Sequence, residues 1–164
     1  MDAVSLTQTL LRFRTINPPG DERACSRHLG GLLEPAGFEI AYHEFGEGRT
    51  SLVARKGGRA DVAPLCFTGH IDTVPLGARP WTRDPFAGEV ADGRLYGRGS
   101  SDMKSGVAAF AVAALRLADR LPGTPGLVLV VTAGEETLKV PIRVAVGQDQ
   151  TVTVVIKDDR LSVG

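Results

Sequence analysis

Cysteine, net charge and long apolar runs are what this chain has least of, and each shortage removes a class of function. Two cysteines in 164 residues do not amount to a disulfide framework. Cys25 shares a helical face with Leu29 and Leu32, and Cys66 lies within an apolar, strand-like run, so both read as small core residues. The 19 basic residues are balanced by 19 acidic ones, which leaves no electrostatic footprint for nucleic acid or an anionic membrane. The longest apolar run, Val107 to Leu115, falls far short of the about 20 residues that cross a bilayer. Met1-Asp2-Ala3-Val4 has neither a basic n-region nor an apolar h-region. No secretory leader is expected, and the cytoplasm is the expected location.

What is present suffices for one core. Hydrophobic residues make up 43% of the chain, which marks it as globular rather than disordered. Leu6, Leu10 and Phe13 predict a helix over residues 4–14, ended by Asn17-Pro18-Pro19-Gly20. A second helix is predicted from about Glu22 to Pro35, with Leu29, Leu32 and Leu33 inward and Gly37 as its stop. Residues 38–44, 51–56 and 63–68 read as strands. Asp92-Gly93 between Gly88-Glu89-Val90 and Leu95-Tyr96 signals a two-residue hairpin. From Met103 to about Asp119 the pattern is helical, alanine-rich and apolar on most sides, so this helix is expected to be buried. Leu127 to Val131 is the continuous apolar run of a central strand. After Thr137 the texture changes: Val140, Ile142, Val144 and Val146 alternate with other residues, and Thr151 to Ile156 is again β-rich. Two strands joined by a turn are expected there.

The acids and one imidazole of the middle third sit at the ends of these strands: His70 and Asp72, then Asp102, then Glu135 and Glu136. In an open α/β sheet, strand ends converge on one crevice. One imidazole with several carboxylates and no thiolate is a ligand set for Zn²⁺ or a neighbouring divalent ion. Residues two apart on an extended segment face the same side, so Asp72 is placed to take the second imidazole N–H of His70. The same pattern describes a buried histidine satisfied by a local aspartate. Asp102 reads either as the N-cap of the buried helix or as a carboxylate able to bridge two ions. Paired acids at the tip of a buried strand are costly unless a cation neutralises one of them. The economical division assigns Glu136 to the metal and Glu135 to proton transfer; the alternative is a solvated acidic turn. His28 and His43 lack acidic partners at metal-binding spacing. The glycine-rich Gly97–Ser105 stretch fails as a phosphate loop, because Met103 stands where glycine is required before Lys104. It fails as a dinucleotide loop because Asp102 takes the place of the third glycine.

The runs Phe67-Thr68-Gly69-His70-Ile71-Asp72-Thr73-Val74-Pro75, Trp81 with Asp84-Pro85-Phe86, Gly93 through Lys104, and Thr132-Ala133-Gly134-Glu135-Glu136-Thr137 resemble the dinuclear zinc amidohydrolases. That family includes acetylornithine deacetylase, succinyl-diaminopimelate desuccinylase, aminoacylase and glutamate carboxypeptidase. Asn17-Pro18-Pro19-Gly20-Asp21-Glu22 is similar to the family's opening. The resemblance implies that His70 ligates one metal, that Asp102 bridges two, and that Glu136 ligates the second. It implies Glu135 as general acid/base and Asp72 as the carboxylate that orients His70. Two zinc ions are implied, with Co²⁺ or Mn²⁺ as substitutes, and the substrate is a small N-acyl amino acid or a peptide-like amide.

The expected fold is therefore α/β: a mixed, largely parallel sheet with helices on both faces and a metal crevice at the strand ends. Residues 1–137 form the metallohydrolase-like portion and 138–164 a β-rich tail unlike the family. The family's lid and dimerisation domain, further acidic ligand and distal histidine are not recognisable in this sequence. Asp158 and Asp159 fall near the place of that acid in surroundings that do not match. The alternative expectation is a truncated or fused catalytic fragment that is inactive and at most binds metal weakly.

Overall fold

A computed structural model describes residues 1–59 and 61–136, together with the backbone of two further strands, Ile142–Ala145 and Thr151–Val154. Helix α1 (Ala3–Leu11) opens with a capping box: the Asp2 carboxylate accepts from Ser5 N–H at 2.8 Å, and Asp2 N–H donates to Ser5 Oγ at 3.2 Å. Its inward face carries Leu6, Leu10 and Leu11; Phe13 lies just past the end and packs on His28. Helix α2 (Arg23–Leu33) buries Cys25, Leu29 and Leu33, and the chain turns out of it at Gly37, whose φ is 82°. Strands β1 (Glu39–Gly46) and β2 (Arg49–Lys56) form a hairpin, and β3 (Leu65–His70) follows.

The Asp92-Gly93 signal is realised between β4 (Glu89–Ala91) and β5 (Arg94–Tyr96), with φ of 51° and 70° at the two turn residues. The predicted buried helix is α3 (Ser105–Leu117), whose inner side is Val107, Ala108, Ala111, Val112 and Ala114. Strand β6 (Leu127–Thr132) is buried along its whole length. Strands β7 (Ile142–Ala145) and β8 (Thr151–Val154) pair antiparallel with each other, in line with the two strands expected after Thr137. Their connecting turn, Asp158 and Asp159 lie outside the described residues.

The central sheet has the order β1-β2-β6-β3 and is mixed, as expected. Its parallel share is smaller than the sequence suggested: β3–β6 is parallel, while β1–β2 and β2–β6 are antiparallel. The reason is connectivity. A parallel neighbour needs a long crossover, here the one through α3, whereas a tight turn at Glu47-Gly48 makes β1 and β2 antiparallel. The expectation of helices on both faces also needs correction for the described residues. Leu52, Ala54, Leu127, Leu129 and Val131 share one cluster with all three helices. The opposite face presents Val53, Val128 and Val130 with Cys66, and no described helix joins them. Gly69 lets the sheet meet α3 closely, for a Cβ there would lie 2.7 Å from Met103 Cε and 3.1 Å from Val107 Cγ2.

Candidate metal centre

The parallel pair β3–β6 sets up the site. His70 is in register with Thr132, and Ile71 N–H donates to Thr132 O at 3.1 Å. The chain beyond each strand therefore emerges side by side: His70-Ile71-Asp72 from β3, and Ala133-Gly134-Glu135-Glu136 from β6. Gly134, at φ 86°, makes the turn that brings the two acids back over β3. Asp102 arrives from the opposite direction on the turn Ser100–Lys104, which is interrupted by extended backbone at Asp102 (φ −123°, ψ 100°). Arg98 anchors that approach, with its N–H donating to Pro85 O at 2.8 Å and its guanidinium to Pro75 O at 3.1 Å.

His70 is buried, and both ring nitrogens are engaged. Nδ1 lies 3.1 Å from the main-chain oxygen of Asp72 and 3.5 Å from its carboxylate Oδ1. A carbonyl can only accept, so Nδ1 carries a proton and Nε2 faces the crevice. Nε2 is 3.1 Å from Asp102 Oδ1 and 3.7 Å from Glu135 Oε2. His70, Asp102 and Glu136 each offer one donor atom, and the three atoms lie within 4.8 Å of one another. Asp102 does not cap α3, whose N-cap is Lys104; its carboxylate turns to His70 instead, though its side chain is 78% exposed.

The expectation for Asp72 needs refinement. Its main-chain oxygen, more than its carboxylate, meets the imidazole. The carboxylate, fully buried, clamps the turn with the acid pair: Oδ1 accepts from Glu135 N–H at 3.1 Å, and Oδ2 from Glu136 N–H at 2.9 Å and Asn17 Nδ2 at 2.8 Å.

Charge follows this geometry. Burial pushes the His70 pKa down, but Asp72, Glu135 and Asp102 outweigh it and raise the value to about 9. Burial would raise the Asp72 carboxyl, yet His70, Asn17 and the Glu136 N–H hold it below the usual carboxylate range. Glu136 is pushed up, first by burial and then by the negative charges of Glu135, Asp102 and Asp72 against the opposing pull of His70. Four carboxylates around one imidazole are excess negative charge in a partly buried space, and a divalent cation neutralises such an excess. The donor set fits a divalent ion, being nitrogen and carboxylate without sulfur.

Two features escaped sequence reasoning. Lys104 is fully buried and donates from Nζ to Leu10 O at 3.0 Å and Phe13 O at 2.8 Å, which ties the segment after Asp102 to the end of α1. Asn17 sits beneath the acid turn rather than in a simple chain break. The motifs containing both were visible, but the partners are too far along the chain for any local pattern to reveal.

Residues 66–151 match the family model described as peptidase family M20/M25/M40. The chain is 39% identical over 140 residues to a succinyl-diaminopimelate desuccinylase of Wolbachia sp. subsp. Brugia malayi, covering 84% of this chain and 34% of that protein. It is 42% identical over 137 residues to the enzyme of the same name from Cereibacter sphaeroides, covering 83% and 35%. The fold resembles human carnosine dipeptidase 1 with a TM-score of 0.70 at 22% identity, covering 84% of this chain and 33% of that structure. The chain thus spans about a third of the length of the curated relatives it matches.

Proposed function

The chain belongs to peptidase family M20/M25/M40, and from that premise we propose that it carries part of the active centre of a metal-dependent amidohydrolase. The convergence of His70, Asp102 and Glu136 carries this reading. These three residues hold the cation: Zn²⁺ first, with Co²⁺ or Mn²⁺ compatible with the same donors. Asp102 would contribute one carboxylate oxygen to the ion and has a second oxygen available as a further donor. When bound, the ion polarises the scissile carbonyl and lowers the pKa of water.

The chain's own groups do the rest. The Nδ1–H bond to the Asp72 main chain holds the His70 ring in one tautomer, with Nε2 aimed at the crevice. Glu135 has a half-exposed carboxylate on a backbone held by Asp72. It takes the proton of the attacking water and returns it to the leaving amine. The substrate class is a small N-acyl amino acid or a peptide-like amide. The names of the relatives put N-succinyl amino acids first. Residues 1–137 form the metallohydrolase-like portion. The tail is separate in this reading, supported by β7 and β8 pairing in their own two-stranded sheet, although the family match over residues 66–151 reaches into it. No described helix is long and apolar enough to cross a membrane, and both described cysteines are free thiols. These features accord with a cytoplasmic location.

The test is amine release from N-succinyl and N-acetyl amino acids by the purified chain loaded with Zn²⁺ or Co²⁺. Release that requires metal and falls at least about 100-fold in Glu135→Ala supports the assignment. Release that survives a chelator, or survives that substitution, overturns it. A second reading is favoured by the donor count: among the described residues three donors meet, enough for one ion with an open position but not for two. On that reading the chain binds a single ion without turnover, and Co²⁺ binding with no amine release is its signature.

A further inference from the structure

The opening Asn17-Pro18-Pro19-Gly20 is the one conspicuous motif to which the hydrolase reading gives no task. Its backbone is bound into the base of the site. Asn17 N–H donates to Thr73 O at 2.8 Å, Thr73 N–H to Thr15 O at 2.9 Å, and Gly20 N–H to Ile16 O at 2.9 Å. Below it, the fully buried Glu22 accepts from Arg49 Nε at 2.8 Å, and the same guanidinium donates to Pro19 O at 2.9 Å. A buried ion pair thus fixes the loop from one side and the strand-like pairing of Ile16 with Thr73 from the other. The result is that the Asn17 side chain, 1% exposed, delivers its amide to Asp72 Oδ2.

We propose that Asn17 is a positioning residue that sets the Asp72 carboxylate so that its two oxygens capture the successive N–H groups of Glu135 and Glu136. The consequence is geometric. The two amide bonds set the carboxylate plane, and the Asn17 bond to Oδ2 adds a third restraint against rotation about χ2. With Asn17 donating to Oδ2, the plane is fixed: Oδ1 takes Glu135 N–H and Oδ2 takes Glu136 N–H. The acid turn is then held against the His70 strand before any ion arrives. Among the described hydrogen bonds of the centre, Asn17 meets Asp72, and His70 and Asp102 meet each other. The proposal rests on the metal-centre reading for its purpose, but its physical content, an ordered acid turn, exists in the metal-free chain.

The experiment is amide hydrogen exchange by NMR on the full metal-free chain, comparing wild type, Asn17→Ala and Ser26→Ala. Ser26 Oγ donates to Thr50 O, next to Ser51 whose Oγ accepts from Ala133 N–H at 3.1 Å, so its loss perturbs the end of β6 without touching Asp72 and serves as a structural control. Asn17→Ala is expected to speed exchange at Glu135 and Glu136 at least about tenfold beyond any change at the β6 amides, which Ser26→Ala does not. A parallel Co²⁺ titration followed by absorption is expected to show affinity weakened by about 10-fold, the usual effect of losing a group that orients metal ligands. Equal acceleration at all protected amides, or unchanged exchange at Glu135 and Glu136, overturns the proposal. If Asn17→Ala does not fold, Asn17→Leu applies the same test, because a side chain of similar size without a donor removes the same restraint. Failure of the metal reading is seen separately, as Co²⁺ affinity unaffected by Glu136→Ala.

Discussion

Asp102 Oδ1 lies 3.1 Å from His70 Nε2, although the two residues are 32 positions apart and only the imidazole is buried. The bond uses the nitrogen lone-pair position that a cation would occupy. In the metal-free chain, that position is filled by a proton. With its pKa raised to about 9, His70 is imidazolium at neutral pH, held by Asp72, Glu135 and Asp102.

Metal uptake must therefore displace a proton. Calorimetric titration with Zn²⁺ at pH 7.5 in two buffers of different ionisation enthalpy is expected to show release of about one proton from His70. Affinity should rise with pH until about 9 and then level off. Binding without proton release at pH 7.5 contradicts the raised value. The sign for stability follows from the same shift: the folded pKa lies above the ordinary 6.5. The stabilisation is full below that value and is lost as pH rises through about 9. The Tm of the metal-free chain is expected to fall across this interval, more than that of His70→Gln.

The two adjacent glutamates should separate by function. Glu136→Ala is expected to weaken Co²⁺ binding at least about tenfold, because it removes one of three donors. Glu135→Ala should change Co²⁺ affinity by no more than about threefold while removing about 100-fold or more of any amide hydrolysis. Isothermal titration and an amine-release assay together read both. A reversed pattern exchanges the two roles, which is a real contest because Glu135 Oε2 stands only 3.7 Å from the imidazole.

Lys104 holds the far side of the centre without facing it. Lys104→Met keeps most of the side-chain volume but removes the charged donor shared by Leu10 O and Phe13 O, each of which keeps a backbone donor, Phe13 N–H at 3.2 Å and Thr15 N–H at 3.0 Å. A loss of about 1–3 kcal/mol in urea unfolding is expected, the cost of removing two hydrogen bonds from a charged donor. No loss would mean that water replaces the ammonium.

The Glu22–Arg49 pair beneath Pro19 is nearly dry, with side-chain exposures of 0% and 11%. Burial already pushes the Glu22 pKa upward, and Arg49 opposes it. Arg49→Met strands that charge and should destabilise the fold by about 3–5 kcal/mol. The double variant Glu22→Gln/Arg49→Met should recover part of it, since no unpaired charge then remains. Chemical denaturation of the single and double variants checks this, and additive losses refute it.

Local pattern decided much of this protein. Glycine at the second place of the Asp92-Gly93 turn, an unbroken apolar run in β6 and an alanine-rich α3 each specify their element from neighbours a few residues away. Strand-end placement likewise marked His70, Glu135 and Glu136, because ligands in an open sheet gather where strands stop, whereas Asp102 comes from the turn before α3. Tertiary structure alone decided the rest. The described helices share one sheet face because α3 is the crossover between β3 and β6 and the other helices enter the same core, a matter of handedness and packing that periodicity does not encode. The work of Asp72 was invisible for a related reason. Its partners at Asn17, Glu135 and Glu136 lie 55 to 64 positions away. The registry of β3 with β6 brings Glu135 and Glu136 within hydrogen-bonding reach, and the pairing of Ile16 with Thr73 brings Asn17.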